Sequence, residues 1–193
     1  MKMYKRKICL IITVVIGLSL TACTTKTSQT EVTPYYSVTI DGEKKYYSDE
    51  DSTIMKLKEV TEEFVVAAGQ ANYQKPDEVE GELSYYTDEI RSLKEETDYV
   101  NRINAMITGY ELQTHISDKV IKKIKLSSQH GNPMATVACE YIVTIQNATD
   151  EYLEELQLKK DTKYRRTMTI EYKKVNDEWK VSDNSVSERE EVQ

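Results

Sequence analysis

The hydrophobic period changes once along this chain, from about 3.6 residues to 2, and the change falls near Gly109. Before it, Ile54, Leu57, Phe64, Val65 and Ala68 lie at offsets 0, 3, 10, 11 and 14, one face of a helix. Asp51 or Ser52 can cap that helix, which should fade near Asn72, ahead of Pro76. Val79, Leu83 and Tyr86 at offsets 0, 4 and 7 predict a short second helix, weakened by Gly81. Thr87 can cap a third, with Ile90, Leu93, Thr97, Val100, Ile103 and Ile107 on its face and Gly109 at its end.

After Gly109 the pattern alternates. Residues 111–128 hold β-like stretches with Val120, Ile121, Ile124 and Leu126 apolar and lysines between them. Val137, Cys139, Tyr141, Val143 and Ile145 share one face of a second strand, and Met168, Ile170 and Tyr172 one face of a third. A fourth strand, from Glu178 to Val186, puts Trp179, Val181 and Asp183 on one side, with Asn176-Asp177 as the turn before it. Residues 149–163 are either a short surface helix or a widened hairpin. Helices followed by strands predict an α+β fold, with helices against one face of an antiparallel sheet of about four strands. The expected core includes Phe64, Leu93, Ile103, Val143, Ile170 and Trp179.

The chain begins differently. Lys2, Lys5, Arg6 and Lys7 precede thirteen uncharged residues, Ile8 to Leu20, and the apolar run gives way to Leu20-Thr21-Ala22-Cys23. A basic head before a short apolar core is the pattern of a secretory signal. The LTAC stretch resembles the lipobox of bacterial lipoproteins of Gram-positive type, which implies cleavage between Ala22 and Cys23 and a diacylglyceryl anchor on Cys23. A spanning helix fits less well: only eighteen uncharged residues run from Ile8 to Thr25, the last five mostly polar, against about 20 needed. The expected organisation is a signal over 1–22, a polar tether over 23–50, a folded domain over 51–187 and a disordered tail over 188–193. Val38 to Tyr47, with Asp41-Gly42 at its centre, reads as a hairpin that either pairs with a sheet edge or belongs to the tether.

Composition narrows the function classes. The net charge is −7, and removal of residues 1–22 would take away four basic residues and no acidic one, leaving −11. That balance argues against nucleic acid, whose phosphates need clustered Lys and Arg. It should also hold the body away from anionic headgroups. Of three cysteines, Cys9 leaves with the signal and Cys23 takes the lipid, so Cys139 is left without a disulfide partner.

Chemistry-bearing motifs are few. His115 and His130 are the two histidines, and His130 precedes the turn residues Gly131-Asn132-Pro133. An acid–base pair of His115 with Asp183 in a helix–sheet pocket is the one catalytic arrangement worth testing. No metal-ligand spacing, phosphate loop or nucleophile elbow occurs, so neither a cofactor nor a metal is expected. Tyrosine is unusually frequent, with fourteen against one Phe and one Trp. The pairs Tyr35-Tyr36 and Tyr46-Tyr47 are candidates for a partner surface, since tyrosine offers apolar area and a polar tip together.

The order of three helices and four strands, closing on the EWKVSDNSV strand with Trp179 and Val181, resembles the NTF2-like, or cystatin-like, cone. That resemblance implies a curved sheet wrapped around its helices. Small envelope lipoproteins and, more weakly, VirB8-like components of conjugation machines have a similar layout. What it implies is a lipid-anchored, extracytoplasmic, non-catalytic module with an envelope protein partner. The alternative is a small-ligand or enzymatic domain that uses the pocket. Replacing Cys23 with Ala should leave the precursor uncut or release the protein from membranes, as read by fractionation and immunoblotting. Normal processing and retention of that variant would refute the anchor.

Overall fold

The computed structural model describes residues 34–39 and 41–192. The signal, Ala22, Cys23 and the tether up to residue 33 lie outside the described residues. Helices pack on one face of a seven-stranded mixed sheet. Its elements are β1 (Tyr35–Val38), β2 (Lys44–Tyr46), α1 (Ser52–Gly69), a 3-10 stretch (Pro76–Tyr85), α2 (Asp88–Glu96) and α3 (Tyr99–Gly109). They continue with β3 (Gln113–Gln129), β4 (Asn132–Asn147), α4 (Asp150–Glu155), β5 (Lys163–Val175), β6 (Glu178–Val186) and β7 (Glu190–Glu191). The strand order is β2-β1-β3-β4-β5-β6, with β7 also paired to β5.

Helix α1 forms where the periodicity places it. The Asp51 carboxylate accepts from the backbone amides of Thr53 (2.9 Å) and Ile54 (3.3 Å), supplying partners that the first turn lacks. Ile54, Leu57, Thr61, Phe64 and Val65 are buried against the sheet. Thr61 is polar in that row, and its hydroxyl is matched by the Tyr172 hydroxyl on β5 at 3.0 Å. The helix stops at Gly69, short of Asn72. A Cβ at Gly69 would stand 3.2 Å from Ile116 Cδ1, a tight contact that Ile116 would have to relieve by a few tenths of an ångström, so the helix end packs closely on β3.

The sheet is larger than expected. The hairpin β1–β2 belongs to it: β1 runs parallel to β3, pairing Tyr35 with Ile124 and Tyr36 with Lys125. The folded body therefore begins near residue 34, not 51. It also ends later. Arg166 Nε and Nη2 donate to the Ser187 carbonyl at 3.1 and 2.8 Å, the Thr167 amide donates to Ser187 Oγ at 2.9 Å, and Glu190–Glu191 pairs with β5. This corrects the expectation of a disordered tail over 188–193. The parallel β1–β3 pair likewise replaces a purely antiparallel sheet of four strands.

The strands after Gly109 follow the alternation, and residues 149–163 contain the short helix α4. Asn176 and Asp177 both have positive φ, at 49° and 66°, and turn β5 into β6. The register of β3 on β4 shifts between Ser117 and Val120, where Asp118 has φ 48°, and again between Ile121 and Lys123. Such bulges bend a strand and increase its twist.

The predicted third helix is broken. Asp98 adopts φ 54°, and α2 and α3 leave it in separate directions. Leu93 therefore lies 55% exposed, outside the core in which the unbroken pattern put it. Ile103 is half-buried beside a smaller cluster of Ala71, Val79, Ile107, Leu112 and Tyr152. Phe64, Val143, Ile170 and Trp179 are in the main core. Truncating Trp179 to Ala should cost about 3–5 kcal/mol of unfolding free energy, as is typical for a buried aromatic. Leu93→Ala should stay within about 0.5 kcal/mol. Chemical denaturation of both variants checks the assignment, and a Leu93 loss as large as that of Trp179 would overturn it.

Candidate functional site

Three places in the described residues gather polar chemistry. The first is Glu82, 4% exposed, a carboxylate that the apolar pattern does not mark. Its segment is a 3-10 helix, in which residues three apart are eclipsed. Glu82 therefore stacks below buried Val79, while Leu83 and Tyr86 form the next column. The carboxylate accepts from the Tyr99 hydroxyl at 2.9 Å and from the Tyr86 hydroxyl, and Lys94 Nζ is 3.5 Å away. Lys94 also lies over both rings, 4.4 Å from the Tyr86 centroid and 3.4 Å from that of Tyr99. The Tyr86 hydroxyl is 3.3 Å from Asn184 Oδ1, which ties the cluster to β6. Burial, reinforced by Glu82, pushes the phenols of Tyr86 and Tyr99 well above the ordinary value, and burial lowers the Lys94 ammonium. Each oxygen of Glu82 is held, so the group is built as a structural clasp.

The second place is a cavity of about 210 Å³ between the end of α1, helix α3 and the inner face of the sheet. Ile103, Ile107, Val143 and Ile145 are in its wall, together with Tyr141, Tyr152, Arg166 and Arg189. Arg166 sits on the inner face of β5 between Tyr164 and Met168, directly opposite Tyr141 on β4. Burial lowers its guanidinium, with Tyr141 opposing and the neighbouring Arg189 adding to the shift. The alternation that marked Met168, Ile170 and Tyr172 as inward extends back to Arg166, so its position was readable.

The third is the outer face at the β1–β2 edge. Tyr36 and Tyr46 pair across the hairpin with ring centroids 6.3 Å apart. Lys44 Nζ is 4.7 Å and Lys123 Nζ 5.6 Å from the Tyr36 centroid. Lys123, foremost, and then Lys44 and Lys125 hold the Tyr36 phenol below its ordinary pKa. Lys45 lies over Tyr47, whose hydroxyl is 3.1 Å from Ser37 Oγ. Tyr35 is not part of this surface: it is 7% exposed, facing the core beside Ile124, with Lys58 over its ring. Strand alternation sends the two residues of the Tyr35-Tyr36 pair to opposite faces, which corrects the grouping of all four tyrosines.

The His115–Asp183 pair does not form. His115 is exposed and pairs with Thr144, itself opposite Lys163, whereas Asp183 pairs with Glu171. The eight residue steps along β5 from Lys163 to Glu171 separate them by about 26 Å. Asp183 also faces solvent, because a bulge between Glu171 and Tyr172 reverses the alternation after Val181 and sends Asn184 inward instead. His130 is exposed in the β3–β4 turn. Cys139 is fully buried, and burial pushes its thiol up to about 11, which keeps it protonated at neutral pH. Among the described residues no cluster of His, Cys, Asp or Glu could hold a metal ion, and no helix is long and apolar enough to cross a membrane.

No protein-family model matches the sequence, and no curated protein matches it. Among solved structures the chain is similar to the periplasmic domain of DotI, at 14% identity and a TM-score of 0.47, over 72% of this chain and 96% of that one.

The clasp has a measurable pH signature. Above pH 10.0 the tyrosines of the unfolded chain lose their protons while folded Tyr86 and Tyr99 keep theirs. The native state then binds more protons, and stability falls as pH rises. Lys94 acts in the opposite sense, but only up to its ordinary value of 10.5. Between pH 10.5 and about 11.5, Tyr86→Phe should therefore flatten the decline by up to about 1.4 kcal/mol per pH unit. Urea denaturation across that range is the check, and parallel wild-type and variant slopes would contradict the assignment.

Proposed function

We propose that this chain is a lipid-anchored extracytoplasmic protein of the cell envelope, held at Cys23 on the outer face of the membrane. Its body is a non-catalytic binding or scaffold module with an NTF2-like cone fold, acting in a secretion or conjugation assembly. The observation that carries this reading is the lysine–tyrosine patch at the β1–β2 edge. Lys44, Lys123 and Lys125 converge on Tyr36, and none of the three forms an ion pair among the described residues. In a chain of net charge −7, three cations held together around exposed aromatic area form a surface complementary to an acidic protein partner. The patch also follows Cys23 closely in the sequence. Tyr35 lies twelve positions after Cys23, which limits the reach to about 40 Å even when the chain is fully extended. A tether of this length keeps the patch at high local concentration near membrane-proximal partners.

Acid–base catalysis has less support, because His115 and Asp183 are exposed and far apart. Crosslinking in intact cells followed by pull-down tests the binding reading. The wild type should recover a specific envelope protein, and a Tyr36→Ala/Lys123→Glu variant should recover at least about tenfold less, with a salt-sensitive interaction. Equal recovery by a variant with unchanged thermal stability would exclude the patch as the contact surface.

A further inference from the structure

The cavity beneath α3 carries an arrangement that the outer patch does not use. Arg166 is half-buried and donates twice to the Ser187 carbonyl, yet neither it nor Arg189 is ion-paired with a carboxylate among the described residues. Both line the cavity. Tyr141 and Tyr152 line it too, at 2% and 8% exposure, and neither hydroxyl is hydrogen-bonded within the described residues. Both hydroxyl oxygens are accessible rather than sealed in the core, so they are free to donate into the cavity, and a half-buried cation normally finds a counter-charge. Here two guanidiniums and two phenol donors face one space without an acceptor. Glu82 shares the cavity wall, but Tyr86, Tyr99 and Lys94 already engage its carboxylate.

An ionised carboxylate is an acceptor-only group with two oxygens, and guanidinium forks match its geometry. The remaining wall at Ile103, Ile107 and Val143 is apolar. We propose that the cavity binds a small monocarboxylate with a short apolar body, its carboxylate held by Arg166 and Arg189 with the hydroxyls of Tyr141 and Tyr152, its body against Ile103, Ile107 and Val143. Size agrees. An apolar cavity of about 150 Å³ accepts benzene, so about 210 Å³ admits a body of roughly six to nine non-hydrogen atoms. This inference is independent of the anchor and of the outer patch.

Isothermal titration of the full-length protein with hexanoate, hexanol, hexylamine and inorganic phosphate tests it. Hexanoate should saturate one site, hexanol and hexylamine should bind at least about tenfold more weakly, and phosphate should not compete. Arg189 is exposed and makes no hydrogen bond to the fold, so Arg189→Gln should weaken hexanoate about tenfold with an unchanged melting temperature. Tyr141→Phe removes only a hydroxyl and should also weaken it severalfold. Absence of a saturable signal, equal affinity for hexanoate and hexylamine, or phosphate binding as tightly as hexanoate would each overturn the proposal. So would full hexanoate affinity in both variants.

Discussion

Taking a carboxylate out of water costs several kcal/mol unless a counter-charge and hydrogen bonds replace its hydration. Glu82 meets that cost with groups from three separate elements: Tyr86 at the end of its own 3-10 segment, Lys94 from α2 and Tyr99 from α3. The arrangement of the helical layer follows from that demand. Lys94 and Tyr99 must both reach one point, and an unbroken helix would turn them to different sides. The break at Asp98 allows both to converge. It also turns the Leu93 side of α2 to solvent and leaves the apolar side of α3, at Ile103 and Ile107, in the wall of the cavity. Removing Lys94 would leave a buried anion, so the clasp holds the layer in one geometry even where its net contribution to stability is small.

Much of the fold was legible because most of it is one-sided burial. The period of 2 marks β4, β5 and most of β6 without reference to their neighbours, and the period of 3.6 marks α1. Expectation and structure separate wherever a backbone irregularity rephases the pattern. At Asp98 a left-handed residue divides a sequence whose apolar spacing is compatible with one helix. After Val181 a bulge exchanges Asp183 for Asn184, and no feature of the SDNS residues announces it. The 3-10 geometry stacks Glu82 directly on Val79, where a 3.6-residue helix would set it at the edge of the same face, so the carboxylate is fully buried. Arg166 differs, since strict alternation already placed it inward, and only the habit of treating arginine as a surface residue hid it. The hairpin from Tyr35 was ambiguous for another reason. Four residues pairing in parallel with a strand some ninety positions later leave no local trace in the sequence.

The distribution of charge connects these features. The chain is acidic overall, and most of its described ion pairs are exposed, of a kind that contributes little to stability. Two groups of basic residues without acidic partners among the described residues lie on opposite faces of the sheet. Outside, lysines surround Tyr36, where cation–ring contacts keep them together despite mutual repulsion. Inside, Arg166 and Arg189 share the cavity with Tyr141. In each case like charges share one neighbourhood without a neighbouring carboxylate to offset their repulsion.

That cost differs between the two faces. The outer lysines remain hydrated, and salt screens their repulsion, so the patch can stand empty with little loss of stability. The inner Arg166 is partly withdrawn from water, where screening is weaker than at the surface. Ser187 relieves Arg166 only in part, since one carbonyl oxygen accepts from two of its nitrogens and supplies no formal charge. The tail from Ser187 through β7 is thus held in place by the same guanidinium that looks into the cavity, and Arg189 sits on that tail. An anion drawn between Arg166 and Arg189 would relieve their repulsion and brace the tail against β5 in one step. Occupancy of the cavity would therefore be coupled through Arg166 to order at the C-terminal edge of the sheet.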